Sequence, residues 1–266
     1  MIYNGCWTGA MILGGGALAA IVITLIMQRI FSTAELRDGH HFTTALLAIV
    51  GTLYAVLLGL IVVDAMARFE RAMDGAQMES NCLADIFLLG NRLPEPYRAR
   101  VRDLCRTYAR QVVDEEWPMM AQGRMNPAVR QTALALATSL DGFEPASESE
   151  KVVYPAILEQ IRQFWDRRRE RAGTCEIGIP PVQWVSLVAG AVVTMVLGGM
   201  FHVGSERLRL VVTVLASLVI GLNLYLVNLF GYPFAGDLTV SSHPFEVDIA
   251  IFDHSDSLVQ PKAFTP

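Results

Sequence analysis

The chain has 266 residues, 53% of them hydrophobic and 18% charged, with a formal net charge of -5 and a mean hydropathy of +0.39. The charges crowd into the middle instead of spreading as on a soluble domain, which marks an integral membrane protein. No uniform basic field exists, so nucleic acid is excluded as a partner and the lipid bilayer takes that place.

The first apolar run covers residues 11–30, close to the ~20 residues a helix needs to cross hydrocarbon. No Lys or Arg precedes Arg29, so the basic region of a cleaved leader is missing and the run reads as a retained span. A short loop around residues 35–41 leads to a second run at 45–63. There Thr44, Ala48, Gly51, Thr52, Ala55 and Gly59 fall on one helical stripe without bulk. Such a stripe lets a neighbouring helix or an ion path come close, helix packing being the commoner meaning. Asp64 sits where this span meets water and could form an acidic ring in an oligomer.

The helix is then expected to run on through Arg68, Phe69 and Met73, with Gly75 its one weakness before Leu93. Pro94 and Pro96 break the chain, and Pro96 suits the first position of the next helix. Val101, Leu104, Cys105, Tyr108 and Val112 form an apolar stripe opposite Arg100, Arg102, Arg106 and Arg110, in a helix that should stop at Trp117 and Pro118. Glu115 and Glu116 are neighbours that point to different sides, so they read as a solvated end and not as paired acids. Asn126 and Pro127 cap a shorter helix ending near Leu140, and a turn-rich stretch follows at 141–149. From Glu150 to about Arg171 a further amphipathic helix puts Val153, Ile157, Ile161, Phe164 and Trp165 on one face and Glu159, Arg162, Arg167 and Arg168 elsewhere.

Pro180 and Pro181 make a rigid entry to the third span, 182–203. Its Ser186, Gly190, Thr194 and Gly198 recur every four residues, the pattern of close helix packing. The fourth span, 210–230, carries Asn223 and Asn228. An amide is costly in lipid, so both should face protein or water, an interhelical hydrogen bond being the simplest role. The acidic end of the chain, 248–266, reads as a flexible tail able to carry a partner contact.

The expected fold is therefore an all-α integral membrane protein. Its four transmembrane helices form two pairs with a helical bundle between the second and third spans. The domains are 1–65, 66–180, 181–232 and a tail at 233–266. Arg68, Arg71, Arg167, Arg168, Arg169 and Arg171 on one side outnumber Arg29, Arg37, Arg207 and Arg209 on the other. By the positive-inside rule both termini and the bundle lie in the cytoplasm, with short outer loops at 35–41 and 204–207.

Catalytic signatures are absent: there is no HExxH, GxSxG, GxxxxGK[ST] or GxGxxG, so no enzyme and no cofactor is expected. His40 and His41 lack the i, i+4 spacing of two ligands to one metal, and Cys6, Cys82, Cys105 and Cys175 show no zinc spacing. Cys82 and Cys105 fall on apolar faces and read as buried thiols in a reducing compartment.

Several separated motifs keep one order along the chain. They are Val50-Gly51-Thr52-Leu53-Tyr54-Ala55-Val56-Leu57-Leu58-Gly59, Asn81-Cys82-Leu83-Ala84-Asp85, Leu93-Pro94-Glu95-Pro96, and Tyr108-Ala109-Arg110 through Glu115-Glu116-Trp117-Pro118. Ile179-Pro180-Pro181-Val182-Gln183-Trp184 and Tyr232-Pro233-Phe234-Ala235-Gly236 complete the set. Together, over roughly residues 40–250, they resemble the bacterial bestrophin-like family, a group without an established biochemical function. The more distant true bestrophins are oligomeric anion channels whose second span lines the pore and whose Asn-Pro-Phe precedes a calcium-binding acidic run. Here Tyr232 stands in place of that Asn and Asp237 is nearly the only acid, too little for a calcium site of six to eight oxygens.

The resemblance implies a multi-pass, homo-oligomeric channel of a bacterial inner membrane that passes inorganic ions. Its second spans would surround the axis, with Thr52 and the small residues at the narrow part and Leu53, Val56 or Leu57 gating by dewetting. Asp64, Arg68 and Arg71 would form the mouth, the arginines favouring anions while Asp64 and Glu70 oppose them. The competing reading is a non-conducting scaffold whose bundle binds a protein partner.

Overall fold

The computed structural model describes residues 5–201 and 205–259, and every regular element among them is helical. In chain order these are α1 (Gly5–Ile30), α2 (Thr33–Asp38), α3 (His40–Gly90) and α4 (Tyr97–Gln111). A π-helical turn, Val112–Glu116, joins α4 to α5 (Trp117–Met120), and α6 (Pro127–Ala137) and α7 (Glu148–Glu176) follow. The chain continues as α8 (Pro181–Gly199), α9 (Glu206–Gly231) and α10 (His243–Val259). The expected end of the third span at Val203, the start of the outer loop at Gly204 and the tail residues 260–266 lie outside the described residues.

Among the described residues four stretches are long and apolar enough to cross a membrane: Trp7–Ile30, His40–Gly90, Glu148–Gly199 and Glu206–Gly231. In the third, the apolar part is α8. The chain divides into two compact units. One contains the chain up to Phe69 together with Gly178–Tyr232 and Gly236–Leu238; the other contains Glu70–Ile177, Pro233–Ala235 and the chain from Thr239 onward.

In the first unit α1 packs on α8 and α9, and the core gathers Tyr54, Leu58 and Ile61 of α3 with Leu187, Ala191 and Val227. Hydrocarbon gives these helices no hydrophobic reason to associate, so close fit and internal hydrogen bonds hold them. The Tyr54 hydroxyl donates to the Leu187 carbonyl at 3.1 Å, and one edge of its ring lies against Gly190, where any Cβ would overlap it. Gly198, in the same row, has nothing within 4 Å of a Cβ position. Gly190→Ala is therefore expected to cost about 1–3 kcal/mol by overpacking, whereas Gly198→Ala leaves stability unchanged. Thermal midpoints of the two detergent-solubilised variants test this, and equal midpoints would contradict it.

The second unit has a hydrophobic core of its own. Leu83, Ile86 and Phe87 of α3 meet Val101, Cys105 and Tyr108 of α4, Val153, Ile157 and Phe164 of α7, and Phe245 and Phe252 of α10. Local signals set the helix starts. The Asn126 side chain accepts from the Ala128 amide at 2.9 Å with Pro127 behind it, and Ser147 and Glu150 form a reciprocal capping box at the start of α7. Pro96 caps α4 rather than opening it, a one-residue difference from the sequence reading. The helix does not stop at Trp117, because the Trp117 amide donates to the Val112 carbonyl, an i→i+5 bond that carries the chain into α5.

The flexible acidic tail is corrected by α10. Its acids suggested a solvated segment, but Phe245, Ile249 and Phe252 recur at helical spacing among them, and both phenylalanines are fully buried. Phe252 stacks on Phe87 with ring centroids 4.2 Å apart. Before α10, the Trp117 indole donates to the Val240 carbonyl at 3.0 Å and the Val240 amide to the Pro233 carbonyl at 2.8 Å, which ties the connecting stretch down.

Candidate functional site

The small-residue stripe of α3 lies away from the core of its own unit. Thr44, Ala48, Thr52, Ala55 and Gly59 are exposed and Gly51 half-buried, while Tyr54 and Leu58 on the other side of the helix are buried. A Cβ at Gly51 or Gly59 would meet nothing within 4 Å. The Thr44 and Thr52 hydroxyls donate to the His40 and Ala48 carbonyls, each at 2.7 Å. Leu53, Val56 and Leu57 are also exposed beside the stripe. Asp64 and Arg71 are exposed and Arg68 half-buried.

The α8 row is used unevenly. Gly190 packs on Tyr54 and Gly198 on nothing within 4 Å, while Ser186 and Thr194 return their hydroxyls to the Val182 and Gly190 carbonyls at 2.9 and 2.8 Å. The close glycine at the far end of α8 is Gly199, against Thr24 of α1. Asn223 and Asn228 are both half-buried, and the Asn223 amide donates to the Val219 carbonyl of its own helix at 2.9 Å rather than across helices. Asp237 accepts from the Tyr225 hydroxyl at 3.0 Å. Among the described residues no group of three or more His, Cys, Asp or Glu could hold a metal ion.

The densest chemistry is in the second unit and was missed from the sequence. Glu116, read as a solvated end, is fully buried, and so are Glu79 of α3 and Arg171 of α7. Arg168, placed on a polar face, is 4% exposed. The Arg168 guanidinium grips Glu116 with two bonds of 2.7 and 2.8 Å. Arg171 grips Glu79 with bonds of 2.7 and 2.9 Å and reaches Glu116 at 2.9 Å. Tyr108 sits between them, accepting from Arg168 at 2.7 Å and donating to Glu79. Two positive and two negative charges thus cancel in a dry core, the condition under which buried ions are tolerated.

Burial works to raise the Glu116 carboxyl, but the Arg168 hydrogen bonds and the charges of Arg171 and Arg168 outweigh it and hold the pKa below the ordinary carboxylate value. Burial pushes the Tyr108 phenol up. Every charged group here has a partner, and none of the four side chains is more than 5% exposed. The network pins α3, α4, the π turn and α7 together. The apolar stripes contained the signal: Tyr108 and Val112 predict the next inward position at 116, and Ile161 and Phe164 predict 168 and 171.

The Bestrophin-like domain family matches this chain over residues 14–245. Among solved structures, a single-substitution form of a bacterial bestrophin homologue from Klebsiella pneumoniae is similar with a TM-score of 0.65 at 13% identity, covering 95% of this chain and 99% of that one. Another single-substitution form gives 0.66 at 14%, covering 94% and 96%. The form phased on zinc gives 0.65 at 14%, covering 92% and 95%. At such identities the likeness speaks for the fold. No curated protein matches the chain.

Proposed function

Because this chain belongs to the Bestrophin-like family, we propose that it is a homo-oligomeric, bestrophin-like ion channel or pore of the bacterial inner membrane. The second spans would surround the axis, with Thr44, Ala48, Gly51, Thr52, Ala55 and Gly59 lining the path and Asp64, Arg68 and Arg71 at its mouth. Anions are assigned as the permeant ions by analogy with bestrophins. By the positive-inside balance, both termini and the helical bundle face the cytoplasm.

One observation carries this reading. Among the described residues, the stripe on α3 is exposed apart from half-buried Gly51, and nothing lies within 4 Å of a Cβ at Gly51 or Gly59, although small residues in a span normally mark where another surface comes close. A ring of such stripes leaves room for ions, and the adjacent Leu53, Val56 and Leu57 supply an apolar constriction. A non-conducting scaffold is the second reading, favoured by apolar side chains left outside the bundle core, Val152 at 75% and Leu134 at 52% exposure.

Planar-bilayer recording of the size-defined oligomer under a chloride gradient separates the two. Discrete currents are expected, and Thr52→Trp should abolish them in an oligomer of unchanged size. Currents that survive in that variant would remove α3 from the pathway. Silence from both proteins across voltage and pH would favour the scaffold.

A further inference from the structure

The first unit has a half-open pocket of about 230 Å³ among α1, α3, α8 and α9, with Ala20, Leu47, Thr194, Phe201, Arg209 and Ile220 among its walls. It is larger than the ~150 Å³ engineered apolar cavities that stay dry and accept benzene. Its lining is almost wholly apolar, and among the described residues Arg209 is the one charged side chain in it.

That arginine is poorly provided for by the protein. Its side chain is 17% exposed, yet its nearest acid is Glu206, 4.0 Å away and 89% exposed, a geometry that contributes little. Its Nε–H is buried with no hydrogen-bond partner. Arg209 also lies in the first turn of α9, where the helix dipole disfavours a cation. Two more buried polar atoms without partners occur at the same end of the unit, Gln28 Nε2 and His40 Nδ1. The His40 ring stands 4.8 Å from Phe201, which lines the cavity. Gly199, another lining residue, packs on Thr24 and Met27, the latter next to Gln28.

An apolar chamber in a membrane-crossing unit, with a cation and unsatisfied polar groups at one end, matches a ligand with a hydrocarbon chain and a negative head. We propose that this cavity binds an anionic phospholipid, one acyl chain running between α1, α8 and α9 and the phosphate on Arg209. Charge complementarity selects the anionic lipid over a neutral one, and the apolar walls select a lipid over free phosphate. The proposal requires only that this unit lies in the membrane, not that the protein conducts.

Native mass spectrometry of the delipidated oligomer, titrated with phosphatidylglycerol or chain-matched phosphatidylcholine, tests it. The wild type should prefer phosphatidylglycerol about tenfold, or ~1.4 kcal/mol, the scale of one charge-assisted hydrogen bond. Arg209→Gln should erase that preference, weakening phosphatidylglycerol more than phosphatidylcholine, whose choline already offsets its phosphate, and Arg209→Lys should restore part of it. Ala216→Phe, which puts bulk into the cavity wall, should weaken both lipids. Equal affinities in the wild type, a preference that survives Arg209→Gln, or displacement by millimolar inorganic phosphate would overturn the assignment.

Discussion

Replacing Arg171 with methionine is expected to lower the stability of the protein by about 3–5 kcal/mol, the usual result of breaking a buried ion pair from one side. The loss comes less from the bonds removed than from the carboxylates left behind. Glu79 would keep no cation and Glu116 only Arg168, both in a site without water access. Denaturation of the detergent-solubilised protein, followed by helical circular dichroism, gives the number. Arg162→Met is the control, because Arg162 pairs with Glu159 and Asp166 on the surface and its loss should barely move the midpoint. Adding Glu79→Gln to Arg171→Met should recover part of the stability by removing the stranded charge. If Arg171→Met falls no further than the control, the network is not what pins these helices.

The second large effect depends on pH. Asp248 of α10 is 4% exposed and accepts one bond, from the Ser80 hydroxyl at 2.6 Å. Burial lifts its carboxyl from the ordinary 3.8 to about 7, with Ser80 pulling weakly the other way. Between those values the folded protein holds a proton that the unfolded chain has released, so stability falls as pH rises from about 4 to about 7 and is level beyond. At ~1.4 kcal/mol per tenfold, the whole interval is worth at most about 4 kcal/mol. Asp248→Asn removes the titration and should stabilise the protein by about 1–3 kcal/mol at pH 8, with little gain at pH 4. A gain of the same size at both pH values would show that Asp248 does not hold a proton in the fold.

The spans were legible because hydropathy reports burial in lipid directly, residue by residue. The capped helices were legible as well, since Asn126-Pro127 and Ser147 with Glu150 act on the nearest backbone amides. What was hidden involved partners distant in sequence. Glu116 and Arg168 are 52 residues apart, and a charge at the next inward position of an apolar stripe looks solvated until the opposite charge is found on another helix. α10 was hidden for a related reason. Counting Asp248, Asp253 and Asp256 gives a polar segment, whereas the positions of Phe245, Ile249 and Phe252 give a helix with a buried face. The free stripe on α3 was legible as composition, but only the packing of Tyr54 and Leu58 fixed which side of the helix its own protomer covers.

The threonines of that stripe have a preference built into their bonding. Thr44 and Thr52 each commit the hydroxyl proton to a carbonyl one turn back, so they hold lone pairs outward and no donor. A cation touching this face finds its ligands already oriented. An anion obtains a donor only when the side chain swings away from its carbonyl, giving up a bond worth about 0.5–1.5 kcal/mol. In the pore proposed above, an anion using these hydroxyls would require a side-chain rotation that a cation would not.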